Sequence, residues 1–358
     1  MNVALAGLPL SGKTCLFDAL SGGAVDSVAN PSRPEHPNYA TTHLPDERLD
    51  WLAEYHKAPK RTPIAIEWID LPGLAPGRPD LASQNTAIME HLRRADALVC
   101  VLRGFESARV GGRADPRADR ATLHAEFLLS DLDVILRRIE KLEKQIQKPV
   151  PEREAMRREL EFLARCREAL EAERPLHDVA KADAERTLLR GFASLTEKPV
   201  LAVLNVSEDQ AGKAREVAAQ YPDLGRPLIA LCASLEAEIG RLAPEERGPF
   251  MADLGLDRLH APDVLWGAYR ALDRVTFFTA AEKEAAARSV PRGATAVEAA
   301  AEVHTDMARG FIRAEVVAFD DLKRAGSLKQ ARADGHVRLE GRDYVVREGD
   351  VLLVHFTR

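Results

Sequence analysis

Residues 7–14 read GLPLSGKT, directly after the apolar run NVALA and directly before CLFDAL. The spacing Gly7-x4-Gly12-Lys13-Thr14 is a complete phosphate-loop pattern. Its glycines let successive backbone N–H groups face phosphate oxygens, its lysine reaches the β- and γ-phosphates, and its threonine hydroxyl ligates Mg2+. Such a loop needs a strand before it and a helix after it, and the flanking runs supply both. The alternative, a plain glycine turn, requires neither. Later segments extend the same plan: PIAIEWID, DALVCVLRGF, KPVLAVLNV and PLIALCA are apolar runs spaced by helical stretches. Continuous apolar strands of this kind belong to a parallel sheet covered on both faces.

A triphosphate site needs a second carboxylate near the metal, and IEWIDLPG provides one. Asp70 closes an apolar strand and Gly73 follows three residues later, where its N–H can sense a γ-phosphate. A base-reading element is then expected after a later strand. Guanine-specific proteins of this class use Asn-Lys-x-Asp there; this chain has Asn205-Val206-Ser207-Glu208, with a longer carboxylate and no lysine. Cys232-Ala233-Ser234, after the next strand, stands where a final small-residue loop is expected.

The α/β pattern is interrupted. Leu128, Leu132, Ile135, Ile139, Leu142 and Ile146 recur at spacings of four and three, KPVP breaks the run, and Met156, Leu160, Leu163 and Leu170 resume it. Two long helices folded back on each other fit this, with their charged residues as a solvated face. The segments expected are 1–118 and 191–274 for a phosphate-loop domain of mostly parallel sheet, 119–190 for a helical coiled-coil hairpin inserted into it, and 275–358 for a strand-rich tail. EGRD and REGD carry turn chemistry in that tail. The net charge of −6 argues against a surface given over wholly to nucleic acid, and no DNA partner is expected. No apolar run approaches the ~18 residues a membrane span needs, and no export signal opens the chain, so a cytoplasmic protein without a membrane partner is expected. Cys15, Cys100, Cys166 and Cys232 are widely spaced and read as reduced thiols. His304 and Asp306 read as structural residues of the tail.

Taken in order, GLPLSGKT, PDERLDWLAE, IDLPGL, RADALVCVLRGFE, SDLDVILRRIEKLEK, KPVLAVLNVSED and LCASLEAEI resemble segments of the YchF-type Obg-like ATPases, a branch of the translation-factor-related P-loop proteins that prefers ATP. The tail, from FFTA through GATAVEAAAEVHTDMARGFIRAEV to LEGRDYVVREGDVLLVHF, resembles that family's TGS-like C-terminal domain. The resemblance implies an ATP-binding hydrolase acting as a ribosome-associated switch, with Mg2+ as cofactor and ribosomal RNA among its partners. It places Leu10, Ser11, Gly12, Lys13, Thr14, Cys15, Asn205, Val206, Glu208, Cys232 and Ala233 around the nucleotide. Thr14 and Asp70 fall on the metal, and Lys13, Gly73 and Arg109 at the reacting phosphate.

The chain also departs from that family's pattern. Pro34 takes the position of the first-switch threonine that ligates Mg2+, and Leu81, Ser83 and Asn85 replace second-switch glycines, which implies a stiffer segment. Leu74 stands where small GTPases place a water-orienting glutamine, and Arg109 where the family supplies a histidine. A guanidinium stabilises charge but is no general base at neutral pH. Slow or partner-dependent ATP hydrolysis is therefore one reading, a nucleotide-binding module without turnover a second, and a GTP-specific enzyme a third.

Overall fold

The computed structural model describes residues 1–23, 32–34, 36–107, 113–147 and 151–357. Its strands are β1 (Asn2–Ala6), β2 (Asn38–His43), β3 (Lys60–Thr62), β4 (Ala65–Asp70), β5 (Ala97–Arg103), β6 (Val200–Asn205), β7 (Leu228–Leu231), β8 (Arg274–Ala280), β9 (Glu284–Pro291), β10 (Phe311–Ala318), β11 (Arg338–Glu340) and β12 (Asp350–Phe356). They form two six-stranded sheets, and the chain divides into two compact units.

The first unit, Met1–Ala40 with Glu67–Val264, carries the sheet ordered β2-β4-β1-β5-β6-β7. β1 pairs in parallel with β4 and β5, and β6 in parallel with β5 and β7. Every residue of β5 is buried, as a strand covered on both faces must be. On one face Leu98, Cys100, Leu102 and Leu204 meet Leu123 and Phe127. The strand order reverses at β1, which opens a crevice at the carboxyl ends of the strands, the usual ligand position in open α/β sheets. Helix α1 (Lys13–Leu20) starts there.

The apolar spacing of the inserted region becomes a pair of long helices. With α2 (Glu47–His56) and α3 (Ala82–Arg94) preceding them, these are α4 (Pro116–Ile146) and α5 (Arg153–Glu171). α4 begins with Asp115 accepting from the Arg117 and Ala118 N–H groups and with proline in its first turn. Ile135, Leu142, Phe162, Leu163, Cys166 and Leu170 form the hairpin's own core, and Arg138 reaches Glu159 across it at 2.6 Å. Leu123 and Phe127, by contrast, pack on the sheet, so α4 is rooted in the α/β core before it leaves it.

The second unit is Thr41–Ile66 with Leu265–Arg358. Its sheet runs β11-β10-β12-β8-β9-β3, with helix Ala296–Val303 contributing Ala296, Ala299 and Ala300 to a core of Val275, Phe277, Val290, Phe311, Val316 and Leu352. The turns expected from EGRD and REGD fall at Arg342–Asp343 and Glu348–Gly349, the latter glycine at φ 82°. These units cut the chain differently from the segments read in the sequence. Residues 41–66, expected within the phosphate-loop domain, group with Leu265–Arg358 in the second unit, apart from the ends of β2 and β4 that belong to the first sheet. The reason is a long-range pairing: Lys60, Arg61 and Thr62 of β3 lie parallel to Glu284, Ala285 and Ala286 of β9. Among the described residues no helix is long and apolar enough to cross a membrane.

Candidate functional site

The loop after β1 turns on Gly12, which caps α1 in the left-handed region at φ 91°. Leu10 also takes positive φ, at 60°, and its side chain is exposed. A methyl on Gly12 would lie 2.0 Å from Asn205 Nδ2, so only glycine fits there. Ser11 and Lys13 are buried beneath the loop. The Lys13 ammonium donates to the carbonyls of Leu8 (2.9 Å) and Gly7 (3.1 Å), and lies 3.5 Å from Ser11 Oγ. Burial pulls its pKa down to about 8, against the opposing pull of the Asp70 carboxylate.

Asp70, at the end of β4, is fully buried. Thr14 Oγ1 approaches its two carboxylate oxygens at 3.3 and 3.5 Å, and the side chains of Ser32 and Asn38 donate to it as well. Burial raises the Asp70 pKa, while the Lys13 charge and these hydrogen bonds oppose the rise. A hydroxyl beside an anionic carboxylate at the mouth of a glycine loop is the hard oxygen set that suits Mg2+. Among the described residues no cluster of three or more His, Cys, Asp or Glu side chains competes for a metal.

Gly73 sits against the same loop. Its added methyl would fall 2.5 Å from Pro9, and the next residue, Leu74, donates its N–H to the Gly7 carbonyl at 3.1 Å. Leu74 is buried, so no polar side chain stands at that position. The second switch is further held by Asn85, whose amide accepts from Ala75 N (3.1 Å) and donates to Ala75 O (3.0 Å).

The predicted base-reading residues separate. Asn205 is buried and spans the site, donating to Ser11 O (3.0 Å) and accepting from Ala233 N (2.9 Å). Val206 is buried, with its N–H on Leu231 O. Glu208 instead is exposed and opens a short 3-10 helix, Glu208–Lys213. Cys232 is buried beside Ser234 Oγ (3.3 Å), and burial, together with Asp18, raises the Cys15 thiol, which suppresses the reactive thiolate. All four cysteines are free. Arg109 lies outside the described residues. His304 caps helix Thr305–Arg309 in the second unit, accepting from Asp306 N, in keeping with a structural part.

Three residues near this crevice carry no motif and were not singled out by sequence. Ser32 and Asn38 reach Asp70, and His91 of α3 lies with Nε2 3.0 Å from Pro34 O. All are tertiary contacts between segments far apart in the chain, which residue spacing does not encode.

Comparison with known proteins agrees with this architecture. Residues 275–357 match the family model YchF-GTPase_C, described as a protein of unknown function (DUF933). The ribosome-binding ATPase YchF of Bacillus subtilis (strain 168) is 34% identical over 368 residues, covering 99% of this chain and 98% of the relative. Its namesake from Haemophilus ducreyi is 36% identical, with 98% of each chain covered. The human Obg-like ATPase 1 is 29% identical over 99% of this chain and 92% of its own. The solved structure of the Schizosaccharomyces pombe YchF GTPase superposes with a TM-score of 0.82 at 26% identity, covering 99% of this chain and 97% of that one. Matched over nearly its whole length by relatives at 34% and 36% identity, the chain belongs to the YchF family.

Proposed function

We propose that the chain is a Mg2+-dependent P-loop nucleoside triphosphatase that favours ATP and uses its nucleotide state to govern association with the ribosome. The observation that carries this reading is the convergence of Lys13, Thr14 and Asp70 on one glycine loop at the sheet's switch point. The relatives' names, ribosome-binding ATPase and Obg-like ATPase, support the substrate and the partner. Lys13 would exchange loop carbonyls for the β- and γ-phosphates, and backbone N–H groups of Leu10 to Cys15 would hold the remaining phosphate oxygens. Thr14, with Asp70 behind it, would hold Mg2+, which neutralises phosphate charge when bound. The Gly73 N–H would meet the γ-phosphate, and Arg109 would add positive charge to it. ATP is favoured over GTP because Glu208 is longer than the aspartate guanine requires and sits on an exposed turn.

Titration calorimetry with ATP and with GTP, in Mg2+, tests this. ATP should bind more tightly, and Lys13→Ala should abolish binding; equal silence toward both nucleotides would sink the proposal. Co-sedimentation with purified ribosomes in the presence of ADP or a non-hydrolysable ATP analogue tests the partner. A buried Leu74 in place of a water-orienting glutamine favours a second reading, binding without turnover. Steady-state phosphate release, measured against Lys13→Ala as blank, separates the two.

A further inference from the structure

Cys100 of β5 and Ala202 of β6 are paired in the parallel register, both small, on the face of the first sheet that α4 covers. Leu123 and Phe127, one turn apart on α4, pack over that face. Protein interiors hold few voids larger than a water molecule. Here the small pair on the sheet leaves a cavity of about 120 Å3 beneath the helix, flanked by the loop 224–227. Leu102, Leu123, Phe127, Ala202 and Leu224 are buried and make its walls apolar. Burial pushes the Cys100 thiol up to about 12, against the nearby Arg120 charge, so the thiol is neutral. The rim has the opposite character. Its exposed polar members are Arg120, His124 and Arg226, and no carboxylate lines the cavity. Arg120 donates to a backbone carbonyl, Asp223 O, at 2.7 Å, while the Asp223 carboxylate is taken by Arg117 at 2.7 and 2.9 Å. Among the described residues none of the three rim side chains is itself in an ion pair.

We propose that this cavity binds a short alkyl chain with an anionic head group, the chain against Leu123 and Phe127 and the head at Arg120 and Arg226. Apolar cavities stay dry and take up apolar ligands; one of ~150 Å3 holds benzene, so this one has room for a chain of about five carbons. Guanidinium forks suit a carboxylate or a phosphate head equally. The bound chain touches the sheet through Ala202 and the base of the inserted hairpin through Leu123 and Phe127, so occupancy ties that hairpin's root to the sheet. No residue of this cavity belongs to the nucleotide site proposed above, and the two stand or fall separately.

The test is titration of the full chain with hexanoate, hexyl phosphate and hexanol, followed by calorimetry and by the rise in melting temperature that a ligand of the folded state produces. An anion should bind, the tighter of the two identifying the head group, and hexanol should bind more weakly. Removing both rim guanidiniums, Arg120→Gln with Arg226→Gln, should weaken the anion on the order of tenfold and leave hexanol unchanged. Ala202→Leu, which fills the cavity, should abolish binding of all three. Should that core substitution prevent folding, the double arginine variant, altered only at the exposed rim, decides alone. No binding of either anion by the unaltered chain overturns the proposal, as does anion binding undiminished in the double variant.

Discussion

Gly12 holds three things in register: the left-handed turn of the phosphate loop, the start of α1, and the amide of Asn205. Alanine there would carry the left-handed penalty of roughly 1–2 kcal/mol. Its methyl would also displace Asn205 from Ser11 O and Ala233 N, and leaving one such buried group unpaired costs about 1–3 kcal/mol. Gly12→Ala should therefore lower the melting temperature as well as nucleotide affinity. Lys13→Ala should abolish nucleotide binding with a smaller loss of melting temperature, because the loop carbonyls it satisfies are offset by the cost of burying its own charge. Thermal denaturation of both variants, set beside their ATP isotherms, checks the contrast. Residues whose chemistry is local to a loop, such as Gly12, Lys13 and Asp70, could be picked out by spacing. Asn205 could be located but not understood, since a residue expected to read a base proves to tie two loops together. Ser32 and His91 were invisible because each depends on a partner brought near only by the fold.

The elements beyond the loop are coupled through side chains rather than through the sheet. Asn85, at the front of α3, clamps the backbone of Ala75 with two hydrogen bonds, each worth about 0.5–1.5 kcal/mol. If this segment is stiff where a glycine is replaced, these two bonds are what would hold it. Asn85→Ala should speed amide hydrogen exchange at Ala75 and its neighbours without altering the melting temperature by more than a few degrees. At the far end of α3, Arg93 donates to buried Asp131 of α4 at 2.6 Å. The same carboxylate accepts from Leu195 N, Thr196 N and Thr196 Oγ1. The helix after the second switch is thereby fastened to the root of the hairpin. Asp131→Ala strands these donors with a poorly hydrated guanidinium and should cost about 3–5 kcal/mol in urea unfolding. Arg93→Ala should cost less, since three donors remain on the carboxylate. Helices α4 and α5 were plain in the sequence because their apolar spacing repeats; Asp131 was not, because one carboxylate among many charged positions on a helix has no periodic signature.

On the scale of the chain, the second unit is a composite. Its C-terminal residues were legible from alternating strands and turn residues, but its other part, 41–66, was not: β3 is three polar residues long, KRT, and its partner lies more than two hundred positions away. That short piece covers much of the sheet. The Arg48 guanidinium lies 5.0 Å over the Phe278 ring and pairs with Glu348 at 2.7 Å. Trp51 meets Phe319 edge-on at 5.5 Å, and Tyr55 Oη accepts from Leu328 N at 2.8 Å. Phe278 and Phe319 are buried, as are Leu49 and Leu52 of α2. A fragment of residues 265–358 would lose all of this cover, at about 1.5–3 kcal/mol for each large apolar side chain exposed. For a small domain whose whole stability is about 5–15 kcal/mol, that loss is decisive. The fragment is expected to bind an apolar dye and to lack a cooperative thermal transition. Joining residues 41–66 to it through a flexible linker should restore both a sharp transition and a dye-silent surface. A fragment that melts cooperatively without 41–66 would show instead that the C-terminal strands form their own core, and that α2 and β3 are passengers on it.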